Sequence, residues 1–152
     1  MRLFSIVLAL LFVVSCKGGA DSIAKEETQG GMGVEQGENL YKVTATPESV
    51  PAGKETTVIF TIEPTDGYKW NDEYPASFKV TVPEGVKAGK TEFSSKKGEV
   101  TKSERNGTFA IPLTLEAAGA QKLSFEGKFS LCTKKTCKVF RKATFDVSVV
   151  GE

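Results

Sequence analysis

From Leu40 onward the chain alternates apolar and polar residues with a period of two, the pattern of strands with one buried and one solvated face. Tyr41, Val43 and Ala45 begin it, followed by Val58, Phe60 and Ile62, then Phe78, Val80 and Val82. Phe109, Ile111, Leu113 and Leu115 continue it, then Leu123, Phe125, Phe129 and Leu131, and finally Phe145, Val147 and Val149. Turn signals at Ala52-Gly53, Pro83-Glu84-Gly85 and Asn106-Gly107 punctuate these runs. No segment combines helical spacing with helix caps. Such faces are buried only by laying one sheet on another. Six or seven strands over about 110 residues therefore predict an all-β, immunoglobulin-like β-sandwich, placed at residues 39–152. The same alternation permits a small β-barrel. Most of the ten phenylalanines fall at inward parity and are assigned to the core. Pro112 has no N–H to give to a ladder, so its strand is expected to carry it at an edge or a bulge.

The first 38 residues break the pattern. Met1-Arg2 precedes an apolar run, Leu3 to Val14, which is too short to span a bilayer but has the length of a signal-peptide core. Val13-Val14-Ser15-Cys16 resembles the lipobox of bacterial lipoproteins, in which the cysteine is acylated and becomes the first mature residue. This resemblance implies a signal peptide at residues 1–15 and lipidation (palmitate among the acyl chains) at Cys16. The other reading is an ordinary secretory signal with an incidental cysteine. Residues 16–38, rich in Gly and charge, are expected to form a flexible tether with a reach of about 25 Å, holding the domain off a membrane. The expected location is the bacterial cell envelope, lipid-anchored and facing the periplasm. Lys17, where inner-membrane retention in enteric bacteria uses aspartate, points toward the outer membrane.

Composition removes several classes of chemistry. With 20 basic and 19 acidic residues there is no nucleic-acid footprint. The chain has no histidine, which excludes Ser-His-Asp and Cys-His catalysis and His-ligated zinc. Two cysteines beyond Cys16 are too few for a structural zinc site, so no metal and no cofactor are expected. The carboxylates show no paired spacing of the glycosidase kind. Asn106-Gly107-Thr108, though sequon-like, reads as a turn.

The remaining chemistry lies in Cys132 and Cys137. Thr133-Lys134-Lys135-Thr136 between them suits a hairpin loop, and in that register Cys132 faces Cys137 while Phe129 faces Phe140. Directly opposed residues of an antiparallel pair lie within disulfide reach, and export would allow the bond to form. Parity puts the sulfurs on the face opposite Phe129 and Leu131, near the surface. A ring of about six residues stabilises a fold by only about 2 kcal/mol. Lys134, Lys135, Lys138 and Arg141 surround the pair in sequence, and nearby cations favour thiolate and exchange. Staple and redox switch both remain open on these residues.

Residues 66–149 resemble the N-terminal periplasmic domain of the thiol:disulfide interchange protein DsbD. The landmarks occur in order: Asp66-Gly67-Tyr68, Val80-Thr-Val-Pro-Glu-Gly-Val86, Glu92-Phe93 with Lys97 and Glu99, Ile111-Pro112-Leu113, and the paired cysteines. The resemblance implies an immunoglobulin-like fold, Cys132 and Cys137 as the exchange pair, and Phe93 as a cap-loop shield over it. It implies partners of the periplasmic thioredoxin-fold type or a DsbD-like membrane core, with no cofactor. The spacing of four residues between the cysteines, where the best-known members have five, and Ser94, where they carry an aromatic, depart from the pattern. The alternative function is a non-enzymatic, partner-binding lipoprotein in which the Cys132–Cys137 bond is structural.

Overall fold

The computed structural model describes residues 40–65 and 67–152. The expected signal peptide, Cys16 and the tether lie outside the described residues. Within them the chain forms β1 (Tyr41–Thr46), β2 (Ser49–Val50), β3 (Thr56–Pro64), β4 (Lys69–Trp70), β5 (Ser77–Thr81) and β6 (Val86–Ala88). After these come β7 (Glu92–Ser94), a 3-10 turn (Ser95–Lys97), β8 (Thr101–Lys102), β9 (Gly107–Leu115), β10 (Gly119–Cys132) and β11 (Cys137–Gly151). One sheet runs β1-β3-β9-β6, with β8 also on β9. The other runs β2-β11-β10-β5-β7, with β4 also on β10. All pairings are antiparallel except the short parallel contact of β2 with β11. This is the immunoglobulin-like sandwich that the alternation predicts, and the separation into two sheets sets the barrel aside.

The alternating residues meet between the sheets. Tyr41, Val43, Val58, Phe60, Phe109 and Leu113 of one sheet are buried, as are Phe78, Leu123, Phe125, Phe129 and Phe145 of the other. Phe60 reaches Phe125 at 4.9 Å between ring centroids and Phe109 reaches Phe78 at 4.7 Å, so aromatic contacts join the layers. Such pairs add about 0.5–1.5 kcal/mol each beyond their burial. Gly107 is required by close approach: a Cβ there would lie 2.6 Å from the Trp70 ring, which closes the end of the core.

Three expectations change in detail. The strands beyond the six or seven expected are short edge segments, of two or three residues, too brief to show a period. Pro112 lies neither on an edge strand nor at a bulge, because β9 is paired on both sides, to β3 and to β6 or β8. Its carbonyl accepts from Gly89 N–H at 2.8 Å, just past the last β6 pair, Ala88 with Leu113. The missing donor thus falls where the β6 pairing stops, opposite Gly89 and before β8 pairs at Thr108. Finally, β10 and β11 shift register between Gly127 and Phe129, so that Arg141 and Lys142 together oppose Lys128. That bulge is invisible to simple alternation.

Candidate functional site: a disulfide at a hairpin tip

β10 and β11 are the two longest strands, and their hairpin carries the cysteines at its tip. The register is the expected one, Cys132 opposite Cys137 and Phe129 opposite Phe140. The two cysteines form a disulfide with a Cα–Cα distance of 4.0 Å. The turn is held by its own hydrogen bonds. Thr133 N–H donates to the Thr136 carbonyl at 2.7 Å, and the Thr133 hydroxyl accepts from the N–H groups of Lys135 and Thr136 at 3.2 and 3.1 Å. These threonine contacts are the local reason the chain reverses here.

The two sulfurs are not equivalent. Cys132 is half-buried and sits in an interior strand, with β11 on one side and β4 on the other, where Lys69 pairs with it. Cys137 is exposed and begins the stretch of β11 that borders the sheet. Leu131 and Phe129 face the core, so alternation puts both sulfurs on the outer face. Beneath the tip, Phe129 stacks on Trp70 at 5.2 Å and on Phe140 at 4.8 Å, while Tyr41 meets both phenylalanines edge-on. Burial pushes the Tyr41 phenol above its ordinary pKa, which keeps it neutral. The tip therefore stands on a packed aromatic base.

The cations distribute differently from their sequence proximity. Lys134 and Lys135 are exposed on the turn. Lys138 pairs with Leu131, hence on the inward face, with its amine 5.7 Å from the Phe140 ring. Arg141 lies at the bulge, farther down the strand. Sequence proximity missed Lys69, which β4 brings beside Cys132. Its amine bonds Glu104 at 2.8 Å and holds that carboxyl below the usual range. Ser130, two residues from Cys132 on the same face, is buried with no hydrogen-bond partner for its hydroxyl among the described residues.

Phe93 is placed elsewhere than the shield role requires. It pairs with Phe78 across β5 and β7, is buried, and its ring lies 5.1 Å from that of Phe109. Phe78 in turn pairs with Gly127, five positions before Cys132 on β10, or about 16 Å of strand. The physical reason is parity: Glu92-Phe93-Ser94 forms an edge strand whose middle residue points inward. Phe93 is core, and the disulfide is uncovered by it.

No protein-family model matches the chain, and no curated protein matches it. Among solved structures it is similar to WR4, a Caenorhabditis elegans MSP family member, with 8% identity over 76% of this chain and 100% of that one, at a TM-score of 0.41. It is also similar to AggA, the major subunit of Escherichia coli aggregative adherence fimbriae type I, with 10% identity over 74% and 94% of the chains and a TM-score of 0.34. A PapD-like domain of human CEP192 is similar at 8% identity over 88% and 98%, with a TM-score of 0.32. Any function must be argued from the chain's own residues.

Proposed function

We propose that this protein is a lipid-anchored thiol–disulfide carrier of the bacterial envelope, exchanging electrons with periplasmic partners through Cys132 and Cys137. The observation that carries this reading is the placement of the bond: at an exposed hairpin tip, between neighbours in one sheet whose turn is already held by Thr133. A bond so placed is accessible to a partner and redundant for the fold. The ordered resemblance to the DsbD N-terminal domain supports the same reading. Cys16 would supply the anchor, and residues 17–38 the reach from the membrane.

The asymmetry of the pair assigns roles. A partner thiolate attacks the exposed Sγ of Cys137, the sulfur–sulfur bond breaks, and Cys132 leaves as thiolate beside Lys69. The partner's second thiolate then attacks its own sulfur in the mixed disulfide and releases Cys137. The partner ends oxidised by two electrons and this chain reduced by two, and the reverse sequence runs the other way.

The test is the midpoint potential of the pair in glutathione or dithiothreitol buffers. An exchange pair is expected between about −270 and −120 mV, whereas structural disulfides lie below about −300 mV. A value below that limit, with no mixed disulfide trapped through Cys137 in a Cys132→Ala variant, would replace this reading by the partner-binding lipoprotein.

A further inference from the structure

On the outer face of the six-stranded sheet, a cleft of about 370 Å3 opens where β5, β7, β10 and β11 come together. Gly127 contributes no side chain to its floor, and Phe78 lies beneath. Its charge is one-sided once ion pairs are considered. Of the lining carboxylates, Glu99 bonds Lys90 and Glu126 pairs with Lys142 at 3.3 Å, which leaves Glu92. Lys79 lies between Glu92 and Glu126 on the neighbouring strands. The excess therefore rests on Lys128, whose amine stands 5.8 Å from the Tyr74 ring, and Arg141, neither in an ion pair among the described residues, together with Lys97, whose field also reaches Glu99. Arg141 is there because it lies across from Lys128, one step past the Phe129–Phe140 pair. The bulge adds Lys142 opposite the same residue, and Lys142 pairs with Glu126.

The cleft and the disulfide share one face. Lys128, Ser130 and Cys132 alternate with inward Phe129 and Leu131, so Lys128 lies below Cys132 on the sulfur side, about 13 Å along the strand. We infer that the cleft is the docking groove for an acidic, extended segment of the exchange partner, lying about four residues from the partner's reactive cysteine. Unpaired cations at one end of the groove attract carboxylates, and a strand-like segment spanning that distance places its sulfur at Cys137. This inference rests on the exchange reading and adds the chemistry of the partner to it.

The probes are synthetic peptides carrying one cysteine with three glutamates, or three glutamines, four residues away. The full chain, oxidised, is mixed with each at low salt and the release of the Cys132 thiol is followed. The glutamate peptide is expected to react about tenfold faster, an advantage typical of electrostatic steering and lost at high salt. It should also be lost in a Lys128→Glu/Arg141→Glu variant, in which the ratio of glutamate-peptide to glutamine-peptide rates should fall to about one or below. Equal rates for the two peptides, with dithiothreitol still opening the bond, would overturn the docking groove and leave the exchange reading intact. If dithiothreitol fails to open the bond, the exchange reading falls, and binding of a cysteine-free glutamate peptide by fluorescence anisotropy decides the groove alone. Binding abolished in the double variant would keep it, and no binding would overturn it.

Discussion

Reducing the Cys132–Cys137 bond should leave the domain folded, and the size of the loss follows from where the bond sits. The chain-entropy relation for a ring of about six residues gives about 2 kcal/mol at 25 °C. That figure is an upper bound here, because the Thr133 hydrogen bonds already favour the turn in the absence of the bond. With a urea slope of about 2 kcal/mol/M, reduction should move the unfolding midpoint down by about 1 M or less without changing the slope. Trp70, the single tryptophan, is buried against Phe129 and reports the transition by its fluorescence. By the thermodynamic cycle, about 2 kcal/mol places the potential of the folded pair only about 40 mV below that of the same pair in the unfolded chain. The assay compares oxidised protein, protein in excess dithiothreitol, and a Cys132→Ala/Cys137→Ala variant. A loss above about 4 kcal/mol, or unfolding on reduction in the absence of urea, would refute the argument and make the bond a staple.

Phe129→Ala should cost about 3–5 kcal/mol, more than removing the disulfide, since it empties the centre of the Tyr41–Trp70–Phe140 cluster; urea unfolding of both variants side by side checks the order. Asp146 is held below the usual carboxylate range by its hydrogen bond to Lys122 and, secondarily, to Ser124. Its folded pKa is depressed, so its contribution is present above the unfolded value and is lost as pH falls through the folded one. Stability should decline below about pH 4, and Lys122→Ala should flatten that decline in urea midpoints taken down the acid limb. An unaltered acid limb would dismiss this role for Lys122. Cys16→Ala should abolish incorporation of a radiolabelled fatty acid and move the protein out of the membrane fraction. An unchanged membrane fraction would remove the lipid anchor from the reading.

The inward face was legible because alternation and burial are the same fact seen twice. The alternating positions from Tyr41 to Val149 are buried or pack against the core, and the hairpin register of the cysteines follows from the loop length alone. The outward face was not legible. β4 has two residues, too few for a period, yet it sets Lys69 beside Cys132 and Trp70 over Gly107. The bulge at Arg141-Lys142 is an ordinary dipeptide in sequence, and only the pairing of Gly127 with Ala143 and of Phe129 with Phe140 shows it. Phe93 illustrates the opposite failure. Its place in a run of motifs suggests a cap, but its parity on an edge strand is inward, and parity decides.

The same topology separates structural duty from chemistry. In antibody domains the disulfide joins the two sheets and closes a loop of several tens of residues, stabilisation of about 4 kcal/mol on the same relation. Here both cysteines belong to one sheet and sit on adjoining strands, so their bond closes nothing that the hairpin has not closed. The join between sheets at this end is made by rings instead: Tyr41 from one layer against Phe129, Phe140 and Phe145 from the other. Because that cluster contains neither cysteine, the base of the hairpin is expected to keep its shape when the tip is reduced. On the proposed exchange reading such a base is needed, since a bond that also held the core would loosen it each time it opened.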